Sequence, residues 1–249
     1  MRRPLVIGNW KLHGTHATVS RLLRELTAGW QGVHRAEVVV CPSFAHIAQA
    51  YTLLTQSNIV LGAQDVSRFD KGAYTGEVAG FMLQDLGCHY VIVGHSERRK
   101  HQRETDAMVA RKFQAAERAR LVPILCVGES RELREQGAAL EAIGAQLHAV
   151  AERVGLEAMA RSVIAYEPLW AVGTGQHASP DQAAEVHRFI RSQLGAGAAA
   201  TRVVYGGSVK PGNAADYFAH PEIDGVLVGQ AALKGDDFLR ICQAAELSE

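Results

Sequence analysis

The chain has 249 residues, 47% hydrophobic and 21% charged, which is enough apolar material for a sizeable core and argues against disorder. Lys+Arg and Asp+Glu each number 26, so the formal net charge is zero. A neutral chain argues against nucleic acid or an anionic membrane as partner, so any bound anion needs a local site.

The opening, MRRPLVIGNWKL, carries two basic residues and a short apolar run interrupted by Asn9 and Lys11, which does not read as a signal peptide. No stretch approaches the roughly 20 apolar residues of a membrane span. The four cysteines, Cys41, Cys88, Cys126 and Cys242, form no CxxC pair. They read as buried thiols of a reducing compartment rather than zinc ligands. The expectation is a soluble, cytoplasmic protein.

Short β-branched runs recur along the chain: LVIGN (5–9), EVVVC (37–41), IVLGAQ (59–64), YVIVGH (90–95), LVPILCVGE (121–129), SVIAYE (162–167), RVVYGG (202–207) and DGVLVG (224–229). Each is too short for a helix and nearly continuous in apolar residues, as in strands buried on both faces of a parallel sheet. Helical patterns lie between them. Residues 104–119 place Met108, Val109, Lys112 and Phe113 at three- and four-residue steps. Residues 180–194 open with Ser179 as N-cap and Pro180 at the first helical position, and Gly195 stands where a C-terminal cap belongs. The segment after Glu129 is rich in helix formers. Eight strand–helix repeats without a dividing linker predict one (β/α)8 barrel domain over residues 1–249. Periodicity alone leaves an open doubly wound sheet as the alternative.

Active sites of such barrels lie at the carboxyl ends of the strands. The polar residues ending these runs are Asn9 and Lys11, Gln64, His95, Glu129, Glu167, the Gly206–Gly207–Ser208 turn and Gly229. One face thereby collects a cation, an imidazole, carboxylates and glycine turns. Taken singly, each has an ordinary reading: a solvated loop carboxylate, a structural histidine, a surface lysine, a simple turn.

Six motifs together, GNWKL (8–12), VGHSERR (93–99), CVGE (126–129), AYEPLWAVGTG (165–175), YGGSVK (205–210) and VLVGQAALK (226–234), resemble the triosephosphate isomerase family over nearly the whole chain. GHSERR and YEPxWAxGTG are the specific ones. The resemblance implies an isomerase that interconverts dihydroxyacetone phosphate and D-glyceraldehyde 3-phosphate through an enediolate, without cofactor or metal, in glycolysis and gluconeogenesis. Glu167 is implied as the base. His95 is implied as a neutral hydrogen-bond donor, since it precedes a helix start, SERR, that Ser96 can cap and whose positive end disfavours imidazolium. Lys11 is the cation for phosphate and enediolate, Asn9 a further donor, and Glu97 a partner of Lys11 or a proton-transfer aid. Gly207, Ser208, Gly229, Gln230 and Gly173 are implied to hold the phosphate. Pro168, Leu169, Trp170, Ala171, Val172, Gly173, Thr174 and Gly175 are implied as a lid, with an exposed apolar Trp170–Ala171–Val172 stretch that needs somewhere to dock. The long polar segment 64–80 implies a homodimer, with Thr75, Gly76 and Glu77 reaching the other subunit and Gln64 and Arg98 holding the segment.

Several positions depart from the family pattern: His13, Asp65, Gln176, Gln230 and Ala232. Of these, Gln230 bears on the phosphate grip, and the expectation is an ordinary negative φ there with the side chain turned away. An aldolase-like barrel would want a Schiff-base lysine or a metal cluster. An inactive phosphosugar-binding homologue is the remaining alternative.

Overall fold

The first strand, Leu5–Asn9, is buried at every position. Alternate residues therefore face two different cores. Leu5 and Ile7 join Val39, Cys41, Ile92, Ile124, Ala165, Val204 and Leu227 in one cluster inside a barrel. Val6 joins Val38, Val40, Val91, Leu125, Ile164 and Val226 in a second cluster shared with the surrounding helices. Burial on both faces is what the unbroken apolar runs require.

The structure is a computed structural model that describes residues 2–171 and 176–248. Its strands, in chain order, are β1 (Leu5–Asn9), β2 (Glu37–Cys41), β3 (Ile59–Ala63), β4 (Tyr90–Val93), β5 (Val122–Val127), β6 (Val163–Tyr166), β7 (Arg202–Tyr205) and β8 (Gly225–Val228). All pair in parallel, each with its sequence neighbour, and β8 closes on β1 with Leu5 opposite Gly225. The eight strands match the eight runs, and the closed order removes the open-sheet alternative. The amino end of the barrel is plugged by charge: Arg202 lies 2.5 Å from Glu37 and donates to the Tyr90 hydroxyl at 2.6 Å.

Several strands stop short of the apolar runs. The fourth ends at Val93 because Gly94 takes φ 72° and turns His95 out of the ladder. The expected helix 104–119 spans Asp106–Arg118, since the Thr105 hydroxyl accepts from the Met108 N–H and Arg120 leaves the helix at φ 58°. The expected helix 180–194 spans Pro180–Gln193, with a Ser179–Gln182 capping box at its start. Gly195 follows it at φ 59°. No helix among the described residues is long and apolar enough to cross a membrane.

Candidate active site

At the carboxyl ends of the strands lies a cavity of about 600 Å3. Asn9 and Lys11 after β1, His95 after β4, Glu167 after β6, Gly207 and Ser208 after β7, and Gly229 and Gln230 after β8 all line it. Gly173 is outside the described residues. A second cavity, about 490 Å3, opens at the amino ends around Arg3, Glu37 and His89 and contains none of the candidate residues.

His95 and Glu167 are both buried and meet directly, with His95 Nε2 3.0 Å from Glu167 Oε1. The tautomer follows from the other ring nitrogen. Nδ1 accepts the Glu97 backbone N–H at 3.2 Å, so its lone pair faces the helix and the ring proton belongs on Nε2. This corrects one expectation: His95 itself, not Ser96, caps the helix Ser96–His101. Ser96 instead serves the carboxylate, its N–H donating to Glu167 Oε2 at 2.9 Å and its hydroxyl lying 3.3 Å from Oε1. Behind Glu167, burial first, then the carboxylate's charge and hydrogen bond, push the Cys126 thiol well above its ordinary range. The Glu167 carboxylate therefore rests against a neutral wall.

Lys11 stands at φ 50°, one of three described non-glycine residues with positive φ. That conformation costs about 1–2 kcal/mol. It is held at three points. The Lys11 N–H donates to Asn9 Oδ1 at 3.0 Å, its carbonyl accepts from Gln64 Nε2 at 2.9 Å, and its ammonium lies 2.6 Å from Glu97 Oε1. Burial raises the Glu97 carboxyl, but the hydrogen bond and charge of Lys11 outweigh it and hold the group below the usual carboxylate range.

The glycines answer to crowding rather than to backbone sign. Gly207 does not have positive φ, yet a Cβ there would lie 2.1 Å from the Tyr205 hydroxyl oxygen. A Cβ on Gly128 would lie 1.8 Å from the Glu167 carbonyl oxygen, and one on Gly206 would lie 2.9 Å from Glu167 Cγ. Gln230 is likewise absent from the positive-φ set and is exposed at the start of a short 3-10 turn, Gln230–Leu233.

The described part of the expected lid segment corrects the expected exposure of Trp170 and Ala171. Ala171 is buried and Trp170 half-buried, because Trp170 Nε1 donates to Glu129 Oε1 at 2.8 Å and the Arg134 guanidinium packs 5.0 Å over the indole. Tyr166 and Arg134 reach the same Glu129 oxygen at 3.1 and 3.2 Å. Pro168 is buried and Leu169 is exposed. Val172, Gly173, Thr174 and Gly175 fall outside the described residues. Beyond them the chain is tied again: the Ala178 N–H donates to the Tyr205 hydroxyl at 3.0 Å, and its carbonyl accepts from Tyr217 at 2.6 Å.

Of the expected dimer segment, Thr75, Gly76 and Glu77 are exposed, as is Leu12 at 94%. Arg98 lies 2.8 Å from Asp65 and 2.7 Å from Glu104, and so fastens the segment's first turn. Sequence reasoning did not assign a site role to Lys210, Lys234 and Leu227, nor to His13, noted only as a departure from the family pattern, all of which also line the cavity, nor did it foresee the Ser96 contact. Serine two residues before two arginines carries no signal of its own for holding a carboxylate. Among the described residues, no group of three or more His, Cys, Asp or Glu side chains is arranged to hold a metal ion.

Comparison with known proteins agrees with this geometry. A family model described as Triosephosphate isomerase matches residues 4–245. A triosephosphate isomerase of Thiobacillus denitrificans is 51% identical over 98% of this chain and 99% of the relative. Those of Dechloromonas aromatica and Nitrosococcus oceani are 51% and 49% identical over 98% of this chain and 100% of theirs. With the barrel closed and the strand-end residues gathered in one cavity, the chain belongs to the triosephosphate isomerase family.

Proposed function

We propose that the protein interconverts dihydroxyacetone phosphate and D-glyceraldehyde 3-phosphate, and that residues 1–249 act as one domain. The observation that carries this reading is the direct meeting of an Nε2–H imidazole and a buried carboxylate, 3.0 Å apart, in a cavity that also holds Lys11. Glu167, freed from its Ser96 contacts, takes the proton from the carbon next to the carbonyl. That C–H electron pair becomes the second bond of the enediolate, and the carbonyl oxygen gains the negative charge. His95 Nε2–H donates to that oxygen and passes a proton between the two enediol oxygens. Glu167 returns its proton to the neighbouring carbon, so no electrons leave the substrate and no external oxidant is needed. Lys11 supplies the positive charge that a neutral protein otherwise lacks, and Asn9 has its Nδ2 hydrogens for the same oxygens, its Oδ1 being used by Lys11.

The phosphate is held by backbone amides of Gly207, Ser208, Gly229 and Gln230, joined by Gly173 when the lid closes. Residues 168–175 exclude water and protect the enediolate phosphate from losing phosphate. The exposed Leu12 and the exposed segment around Thr75, Gly76 and Glu77 support a homodimer. A glycolytic role, a cytoplasmic location and independence from any cofactor complete the reading. A coupled isomerase assay with and without a chelator is the test. Turnover unchanged by the chelator is expected, and Glu167→Gln is expected to lose about 10³-fold in kcat, roughly 4 kcal/mol of barrier, with phosphate-ligand affinity within about tenfold. A variant retaining more than a tenth of the native rate would place the base elsewhere.

A further inference from the structure

Arg131 opens the short helix Arg131–Glu135, which Ser130 caps by accepting the Leu133 N–H. A cation in the first turn opposes the helix dipole, so the helix itself has no use for it. The guanidinium turns instead to the lid segment. Its Nη2 donates to Gln176 Oε1 at 2.8 Å and reaches the Trp170 carbonyl at 3.5 Å. Trp170 and Gln176 bracket residues 171–175, so one nitrogen touches the chain on both sides of them. Each flank also has its own anchor on the barrel. Glu129 holds the Trp170 indole, while Tyr205 and Tyr217 hold Ala178, shortly beyond Gln176. Those anchors fix each flank to the barrel, whereas the Arg131 contacts run from one flank to the other.

We propose that Arg131 is a positioning residue that clasps the two flanks of the lid, so that the segment between them closes from ends held at a fixed separation. This rests on the reading of residues 168–175 as the lid. Nη2 carries two hydrogens, which match the two oxygen acceptors. The contact is exposed and therefore modest in strength, but a modest contact is enough to bias an equilibrium between two arrangements of a loop. The chemistry at position 176 sets the sign of the bias. A carboxylate there would bind the guanidinium more tightly than the amide does, and an ammonium would repel it.

The experiment compares Gln176→Glu and Gln176→Lys in the native background and in an Arg131→Leu background. Both positions are exposed, and melting temperatures check that every variant folds. One readout is inorganic phosphate released per isomerisation, which measures escape of the enediolate from an imperfect lid. It is counted per turnover, so attraction or repulsion of the anionic substrate by the new charge drops out. The other readout is amide hydrogen exchange across the lid and its flanks in the unliganded enzyme. Arg131→Leu and Gln176→Lys are expected to raise both by about threefold or more, the scale of one hydrogen bond to a charged group at the surface. Gln176→Glu is expected to leave both at or below the native value. Without Arg131, the Glu and Lys variants are expected to agree within about twofold, because the group they attract or repel is gone. Three results would each overturn the proposal: Glu and Lys shifting both readouts alike in the native background, a difference between them that persists without Arg131, or an Arg131→Leu enzyme indistinguishable from the native one. If exchange follows the expected pattern while phosphate release stays flat, the clasp stands and the reading of the segment as a lid fails.

Discussion

At His95 the ring proton is assigned by a neighbour's amide, the Glu97 N–H on Nδ1, and the His95–Glu167 pairing therefore depends on one turn of backbone. Gln230 raises the opposite question, whether a side chain at that position spoils an anion site. With no positive φ to relieve and an exposed side chain, Gln230→Gly is expected to change the affinity of a phosphate-bearing inhibitor less than about tenfold, or 1.4 kcal/mol. Calorimetric titration checks this, and a larger gain would mean that Gln230 impairs the grip. That His95, Glu167 and Lys11 share one cavity was legible from motif order and strand-end position. Ser96, His13, Lys210 and Lys234 were not, because contacts between strand ends far apart in the sequence leave no mark in any local spacing.

Among the elements, the strands were readable almost to the residue because burial on both faces forces unbroken apolar runs. Their last one or two residues were not, since turning into the cavity is decided by cross-barrel hydrogen bonds such as those of Gln64 and Glu167. The lid flanks show how an element borrows rigidity from its neighbours. The Tyr205 hydroxyl holds the Ala178 N–H, and Gly207 leaves room for it. Gly207→Ala is expected to displace that hydroxyl, lowering kcat/KM at least tenfold and costing about 1–3 kcal/mol through overpacking. Tyr205→Phe is expected to reproduce much of the kinetic loss with a smaller change in melting temperature. Equal kinetics for Gly207→Ala and the native enzyme would detach the tyrosine from the lid.

His187 links the helix Pro180–Gln193 to stability of the whole molecule. It is fully buried, its Nδ1 is 3.0 Å from the Glu222 carbonyl, and its Nε2 has no partner. Burial, chiefly, pushes its pKa down to about 3. A histidine depressed in the folded state contributes stability that is complete above its unfolded value near 6.5 and is lost as pH falls toward 3. Between pH 7 and 5 this group alone should remove about 2 kcal/mol, since only the unfolded chain takes up the proton. Urea unfolding at a fixed protein concentration should therefore show a smaller loss over that interval in His187→Gln. Identical slopes would mean that the imidazole is protonated while folded.

The charges under the segment after β3 give a second test at this scale. Lys112 is 2.7 Å from Asp65 and 2.5 Å from Glu104, all three buried. Burial raises the Asp65 carboxyl in spite of Lys112 and Arg98. Burial also opposes ionisation of Glu104, but the hydrogen bonds and charges of Lys112 and Arg98 together outweigh it and hold that group low. Asp65→Asn should therefore shift unfolding free energy at pH 7 by about 1 kcal/mol or less. Glu104→Gln should cost about 3–5 kcal/mol by leaving Lys112 short of its stronger partner. A reversal of that order would reassign which carboxylate neutralises the lysine.

The crowding of Gly128 and Gly206 against Glu167 limits how this cavity can be reshaped. Any side chain larger than hydrogen at either position meets Glu167 or its backbone at 1.8–2.9 Å, so the wall behind that carboxylate has no room for variation. Changes of substrate size are better sought on the β8 side, where Leu227, Ala231, Leu233 and Lys234 line the cavity. A library confined to those four positions should retain proton abstraction from enlarged phosphorylated hydroxy-carbonyl compounds, whereas one that varies the two glycines should yield few folded, active members.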